Sequence, residues 1–356
     1  ITGVSQIDAS TYDLTVSGGD LAGFNGTVGL DIPGGQNIAD TVGNAFGGAE
    51  PGTDETYTLD NTAPVLQSFE RQTPASSPTN ADTLVFRATF DGDVSNLDAT
   101  DFAVTGTTGT VTGVAAVTGS SVFDITVSGG DLAGLDGTVG LDLAGGQDVA
   151  DSVDNALPGT EPATDETYTL DNTAPVLQSF ERQTPAGSPT NADTLVFRAT
   201  FDGDVSNVDA ADFAVTGTTG TVTGVAAVTG SSVFDITVSG GDLAGLDGTV
   251  GLDLAGGQDI ADAAGNALAG TEPATDETYT LDNTAPGTVT ITTPIEGDGV
   301  VNAAEDADVL VAGTGADPGT TVDVSIDDGA NPAITAQATA DGSGNWTLLG
   351  GDELDV

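Results

Sequence analysis

Apolar and polar positions alternate with a period of two along most of this chain. Within 62–172, Leu84, Phe86, Ala88 and Phe90 fall on one face, with Val85, Arg87 and Thr89 between them. That is the pattern of a strand with one buried side. Phe123, Ile125 and Val127 alternate with Asp124 and Thr126, and Val139, Leu141 and Leu143 share a face with Asp142 opposite. Glycine-rich turns such as Ser128-Gly-Gly-Asp131 separate these runs. The pattern predicts seven strands, at 65–71, 83–90, 101–105, 110–116, 121–127, 138–143 and 166–170. No segment carries a helical period. Seven short antiparallel strands predict an all-β, two-sheet sandwich of the immunoglobulin-like kind.

The pattern repeats. Asp-Asn-Thr-Ala-Pro stands at 60–64, 171–175 and 282–286, a spacing of 111 residues each time. Residues 62–172 and 173–283 differ at eight positions: Ser76/Gly187, Leu97/Val208, Thr100/Ala211, Val149/Ile260, Ser152/Ala263, Val153/Ala264, Asp154/Gly265 and Pro158/Ala269. Half of these lie in 149–154, which predicts a tolerant surface loop. Residues 1–61 match the second half of the repeat: Ile1-Thr-Gly-Val4 answers Val111-Thr-Gly-Val114, and Ser17-Gly-Gly-Asp20 answers Ser128-Gly-Gly-Asp131. After Pro286 the pattern changes to another type. The expected organisation is a linear array: the C-terminal part of a repeat at 1–61, full repeats at 62–172 and 173–283, and a module of a second type at 284–356. Both ends are expected to fall inside modules of a longer polypeptide.

Charge narrows the function classes. The 356 residues carry 55 acidic side chains against four arginines, with no lysine, histidine or cysteine, for a net charge of −51. Apolar residues make up 38% of the chain, enough for the acid to sit on the surface of folded units rather than to mark disorder. Such a charge argues against nucleic acid, which needs a basic footprint, and against anionic lipid surfaces. No apolar run is long enough to span a membrane. Without His, Cys or Lys the usual catalytic bases and nucleophiles are missing, and carboxylate pairs arise by chance among so many acids. The expectation is a protein that is not an enzyme.

Strand alternation brings three segments to one pole of each repeat: the incoming linker, the loop after the second strand and the loop before the last. That pole gathers Asp60, Asn61, Asp91, Asp93, Asp98, Asp101, Asp148, Asp151 and Asn155. In the next repeat the candidates are Asp171, Asn172, Asp202, Asp204, Asp209, Asp212, Asp262 and Asn266, followed by Asp282 and Asn283 at the third linker. Hard oxygen donors in that number suit Ca²⁺, which takes six to eight oxygens. The other reading is that these are solvated turn aspartates, since Asp favours turns. Asp154 becomes Gly265 and is a poor ligand candidate. Glu296-Gly-Asp-Gly-Val-Val-Asn302-Ala-Ala-Glu305 resembles a short EF-hand loop, making Asp298, Asn302 and Glu305 candidates for a calcium turn. Asp341-Gly-Ser-Gly reads as a hairpin turn and Trp346 as a core plug. Glu70, Arg71 and Arg87 read as a cross-strand ion-pair set, of little energetic weight if exposed.

Asn80-Ala-Asp-Thr-Leu-Val-Phe-Arg-Ala-Thr-Phe90, Val94 with Leu97-Asp-Ala-Thr-Asp-Phe102, Ala150-Asp with Asn155-Ala-Leu157, and Asp171-Asn-Thr-Ala-Pro175 together resemble the bacterial Ig-like repeats of very large secreted surface proteins and adhesins. Such repeats often carry Ser-Glu where this chain has Asp91-Gly-Asp93. Asp-Asn-x-Ala-Pro is similar to the calcium-binding linkers of cadherins, and 287–356 resembles a second type of bacterial Ig-like module. The resemblance implies an extracellular, cell-surface, calcium-loaded stalk. The leading expectation is a non-catalytic structural extender in which Ca²⁺ bridges linker and module. Its partners would be neighbouring modules of the same chain and other copies in a fibre. The alternatives are a module that binds a glycan or host-surface protein, and a self-assembling filament or surface-layer subunit.

Overall fold

A computed structural model describes residues 1–295, 299, 310–326 and 333–348. Among them, regular structure is almost entirely strand, broken only by three-residue 3-10 turns. In 1–61, β1 (Gly3–Gln6) pairs with β2 (Tyr12–Thr15) and β3 (Gly26–Val28) with β4 (Tyr57–Leu59). Residues 62–172 contain β5 (Leu66–Thr73), β6 (Thr83–Phe90), β7 (Phe102–Thr105), β8 (Thr110–Thr118), β9 (Val122–Ser128), β10 (Gly137–Leu143), β11 (Thr164–Asp165) and β12 (Tyr168–Leu170). They form a five-stranded sheet, β11-β5-β6-β9-β8, and a three-stranded sheet, β12-β10-β7. One core made of residues from both sheets lies between them. Residues 173–283 repeat the plan with β13 (Leu177–Thr184) to β20 (Tyr279–Leu281). The fold is all-β, a tandem array of sandwiches.

The alternation predicted for 83–90 holds along the whole strand: Leu84, Phe86, Ala88 and Phe90 are buried while Val85, Arg87 and Thr89 are half-exposed. Phe86 meets Tyr168 edge to face at 5.0 Å, tying one sheet to the other. The Tyr168 hydroxyl donates to Val85 O (2.8 Å) and accepts from Gln72 N–H (3.2 Å). A fully buried phenol is thereby satisfied, and strands β5, β6 and β12 are pinned together.

Strict alternation fails in β5, where Leu66, Ser68 and Phe69 all face inward. A register shift between Leu66 and Ser68 resets the phase, as a bulge does. The other surprise is β11, which pairs in parallel with β5. Two residues carry no period, so nothing in the sequence marks it; Glu166 N–H donating to Phe69 O (2.9 Å) extends the same contact. Strand β8 closes the larger sheet as an irregular, exposed edge with two register shifts, a form that discourages pairing with other chains.

Asp154 and Gly265 occupy the same turn position with φ of 67° and 95°. The left-handed backbone there is one that Asp tolerates and Gly adopts freely, which explains that difference between the repeats. Ser152, Val153 and Asp154 are exposed as the tolerant loop predicts, whereas Val149 is core.

After Pro286, β21 (Thr290–Ile291), β22 (Val311–Thr314) and β25 (Trp346–Leu348) form one sheet, and β23 (Thr321–Ile326) pairs with β24 (Ile334–Thr339). Trp346 is buried in their shared core, in keeping with a core plug. The turn at Asp341 joins β24 to β25, strands of different sheets, and so is not the hairpin expected. Glu296, Asp298, Asn302 and Glu305 lie outside the described residues.

Replacing Tyr168 and Tyr279 by Phe should cost about 1–3 kcal/mol in each repeat, because Val85 O, Val196 O and the paired N–H groups stay buried without that partner. Urea unfolding should show a lower midpoint with an unchanged slope.

Candidate metal centre and module junction

Loop geometry brings the predicted pole together. Val65 N–H donates to Asp91 Oδ1 (2.7 Å), and Ser95 pairs with Ala150. Asn155 Nδ2 donates to the linker carbonyls of Asp60 (3.0 Å) and Thr62 (3.4 Å). Several of the aspartates there are engaged by neighbouring donors. Asp60 Oδ1 accepts from Thr62 N–H, and Asp93 Oδ1 from Ser120 N–H. Asp98 and Asp101 form a capping box around the turn 99–101. Asp101, 1% exposed, accepts from Asp98 N–H and from Asp148 N–H, so it joins two loops. Asp151 Oδ1 accepts from Val153 and Asn155 N–H, and Asp151 Oδ2 from Asn155 Nδ2. These bonds, the Asn155 side chain first, hold the Asp151 carboxyl below its usual range. Asp98 is lowered by the Thr100 hydroxyl and N–H.

The second repeat follows suit: Asp202 accepts from Val176 N–H, Asp204 from Ser231 N–H, Asp209 and Asp212 form the same capping box, and Asp262 accepts from Ala264 and Asn266 N–H. Asp171 and Asp282 accept from Thr173 and Thr284 N–H. No three of these carboxylates bring oxygens within 4.8 Å of one another.

The linker asparagines look backward. Asn172 Nδ2 donates to Leu132 O and Leu135 O, and its N–H to Asp136 Oδ1 (2.6 Å). Asn61 makes the matching bonds to Leu21 O, Phe24 O and Asn25 Oδ1, and Asn283 to Leu243 O, Leu246 O and Asp247 Oδ1. The following repeat grips the same linker from the other side, Asn266 Nδ2 donating to Asp171 O at 2.7 Å. Asn80, in the preceding repeat, closes the contact: its Nδ2 donates to Asn266 Oδ1 (3.1 Å) and its N–H to Ala264 O (3.1 Å). Ala264 is 8% exposed at this junction, whereas the equivalent Val153 is 53% exposed.

Tight carboxylate groups occur elsewhere. Among the described residues, three sets of three converge within 4.8 Å: Asp31, Glu50 and Asp54; Asp142, Glu161 and Asp165; Asp253, Glu272 and Asp276. They are one site repeated every 111 residues. Asp142 comes from β10 and Asp165 from β11; Glu161 is fixed by Leu143 N–H donating to its Oε1 (2.9 Å), as Ile32 and Leu254 N–H fix Glu50 and Glu272. Partial burial, then the charge of Asp142, pushes the Asp165 carboxyl up. Burial, then Asp142 and Asp165, raises Glu161 against the lowering bond from Leu143. Asp276 and Glu272 behave alike. Three hard oxygen donors without a cation beside them fit a hard divalent ion, so the donor chemistry matches calcium here. Sequence reading missed this site because Asp142 reads as an outward strand residue. A signal existed: 1–61 departs from the other copies at many positions yet keeps Asp31, Glu50 and Asp54, while Asp148 becomes Asn37.

All four arginines are paired. Arg87 makes a two-point bridge to Asp124 (2.8 and 3.1 Å), not to Glu70, which stands opposite it on β5. Arg71 bridges to Glu166, and Arg182 and Arg198 repeat both pairs.

No protein-family profile matches the sequence, and no curated protein matches it. Among solved structures, a tetra-tandem repeat in the extending region of a large adhesion protein shares 18% identity over 81% of this chain, with a TM-score of 0.23; the match spans 66% of that chain. A chimeric titin Z1Z2 functionalised with a KLER exogenous peptide from decorin shares 10% identity over 63% of this chain and 96% of its own, with a TM-score of 0.24. Scores this low bear on neither function nor partners.

Raised carboxyls favour the folded state below the unfolded carboxylate range and cease to do so as pH climbs through their folded values; lowered ones such as Asp151 do the reverse. Replacing Asp142 and Asp253 by Asn removes like charge from both full triads. In chelator the variant should melt higher than the parent at pH 7, and the gain should shrink as pH falls and the triad takes up protons. A lower melting temperature at pH 7 would contradict the repulsion.

Proposed function

We propose that this chain is a non-catalytic structural extender: a run of immunoglobulin-like modules, with 62–172 and 173–283 as independent folding units, that acts as a stalk in a large extracellular bacterial surface adhesin or fibre. The observation that carries the reading is the junction at Asp171–Thr173. Asn172 ties the linker to the repeat before it, Asn266 ties it to the repeat after, and Asn80 bonds across. A linker held from both sides limits bending, which a spacer needs and an isolated binding domain does not. A strand of seven residues spans about 23 Å, so repeats in line make a long projection.

Ca²⁺ completes the proposal. Asp142, Glu161 and Asp165, with their counterparts in the other copies, would hold it, and it would supply the positive charge that four arginines do not. Low cytosolic calcium would leave the modules loose for export, and higher external calcium would tighten them. The pole aspartates identified from sequence remain the competing ligand set.

Thermal melts of the full chain in calcium and in chelator separate these readings. Calcium should raise the melting temperature, by about 2.7 kcal/mol of stability at a hundredfold excess over Kd if one site per module is filled. Asp142→Asn with Asp253→Asn should remove most of the gain. Persistence of the full gain would move the ion to the pole, and no gain in the parent would end the calcium proposal. Small-angle scattering tests the stalk itself: Asn80→Ala should increase flexibility at the junction while leaving each repeat folded, and an unchanged profile would argue against the amide contact as the stiffening element.

A further inference from the structure

One latch position changes chemical type between the copies while keeping its place. Asp136, directly ahead of β10, fastens the linker that follows its repeat. Its Oδ1 accepts from Asn172 N–H (2.6 Å) and its Oδ2 from the Thr173 hydroxyl (2.8 Å). The Asn172 N–H, then the Thr173 hydroxyl, hold this carboxyl below its ordinary range. Asp247 accepts in the same way from Asn283 N–H (2.6 Å) and the Thr284 hydroxyl (2.7 Å). In 1–61 the position is Asn25. Its Oδ1 accepts from Asn61 N–H (2.6 Å), but its Nδ2 donates to Thr62 Oγ1 (2.7 Å). The Thr62 hydroxyl thus accepts where Thr173 and Thr284 donate.

Asn25 is followed by Gly26, the one Asn-Gly pair in the sequence. Glycine leaves the backbone nitrogen after an asparagine unhindered by a Cβ. Position 26 requires glycine: its φ is 147°, and a Cβ there would come within 3.1 Å of the Phe24 ring. Asn25 is exposed, as Asp136 and Asp247 are in their complete repeats, so water reaches this position in every copy. The latch bonds are also those that attack on the amide would use. Asn61 N–H points at the oxygen that gains negative charge, as an oxyanion donor does. The Thr62 hydroxyl lies beside the nitrogen that must leave.

We propose that Asn25 is a self-modification site: attack by the Gly26 backbone nitrogen deamidates it, and the product is the aspartate that the other two copies carry. The Gly26 nitrogen bonds to Asn25 Cγ and gives up its proton, the Cγ–Nδ2 bond breaks, and Nδ2 leaves as ammonia. Water then adds to Cγ of the cyclic imide, and the Cγ–N bond opens. That restores the Gly26 N–H and leaves a carboxylate. Water is the only co-reactant, and nothing is oxidised or reduced. Opening at the other imide carbonyl gives isoaspartate, which routes the main chain through Cγ. It would add a methylene directly ahead of β3 and move the carboxylate away from Asn61 and Thr62. The latch selects the aspartate product, because both donors can then bond to a charged acceptor. This inference is independent of the stalk and calcium readings.

Peptide mapping of the full chain, aged at mildly alkaline pH in heavy-oxygen water, tests it. Asn25 should convert at least about tenfold faster than any other asparagine of the chain, since it alone precedes glycine. Aspartate should exceed isoaspartate at position 25, whereas a synthetic peptide of residues 18–32, which lacks the latch, should age mainly to isoaspartate. Asp136→Asn moves the same pair into a complete repeat. That variant should melt below the parent when fresh and recover the parent's melting temperature as it deamidates. Asn25 left intact after ageing overturns the proposal. So does isoaspartate as the main product at either position, or deamidation of the Asp136→Asn chain without recovery.

Discussion

Four guanidinium groups are all the positive charge this chain sets against 55 carboxylates, and the structure is arranged around that shortage. Each arginine is committed to a bridge with one acid of its own repeat. The remaining acids are accommodated by other donors. At the poles the donors include backbone N–H groups and asparagine amides, some from the carboxylate's own turn and some from a neighbouring segment. Charge-assisted bonds of this kind are stronger than neutral ones. They convert acidic residues into loop fasteners, which is why the aspartates with lowered pKa values cluster in turns.

The carboxylate triads are the exception to that arrangement. Asp142, Glu161 and Asp165 have one N–H among them, from Leu143, and burial works against the charge of Glu161 and Asp165. A site whose charged form is disfavoured within an otherwise well-satisfied surface is where an external cation gains most. Its position has structural leverage: it joins β10 of one sheet to β11, the strand that extends the other. An ion there would act on the clasp between sheets, not on a loop.

Legibility in the sequence followed periodicity. Leu84 to Phe90 declares its face because four apolar residues alternate without interruption, and the structure follows. The bulge in β5 and the two-residue β11 are invisible because the first breaks the period and the second is too short to have one. Pole geometry was legible from strand count alone, and Asn155 does reach the linker. What proximity in a loop cannot reveal is where each carboxylate points. Asp98 and Asp101 face their own backbone, while Asp142, read as an outward strand residue, faces two acids distant in sequence. The direction of a short side chain depends on local φ, ψ and on which N–H is free, and neither is written in residue spacing.

Stiffness along the array then reduces to which side chains bridge neighbours. Asn80 belongs to a loop at one end of its repeat and Asn266 to a turn at the opposite end of the next, so one repeat sequence carries both halves of the contact. At Asp282 the following module is of a different type, and Asn283 still ties the linker backward to Leu243 and Leu246. The forward grip that Asn266 provides on Asp171 has no counterpart there among the described residues. Asp341 and Asn345 form the same kind of turn as Asp262 and Asn266, yet their described bonds remain within the turn. If the Asn80–Asn266 contact stiffens the array as proposed, stiffness belongs to like repeats meeting, and bending should concentrate where the module type changes.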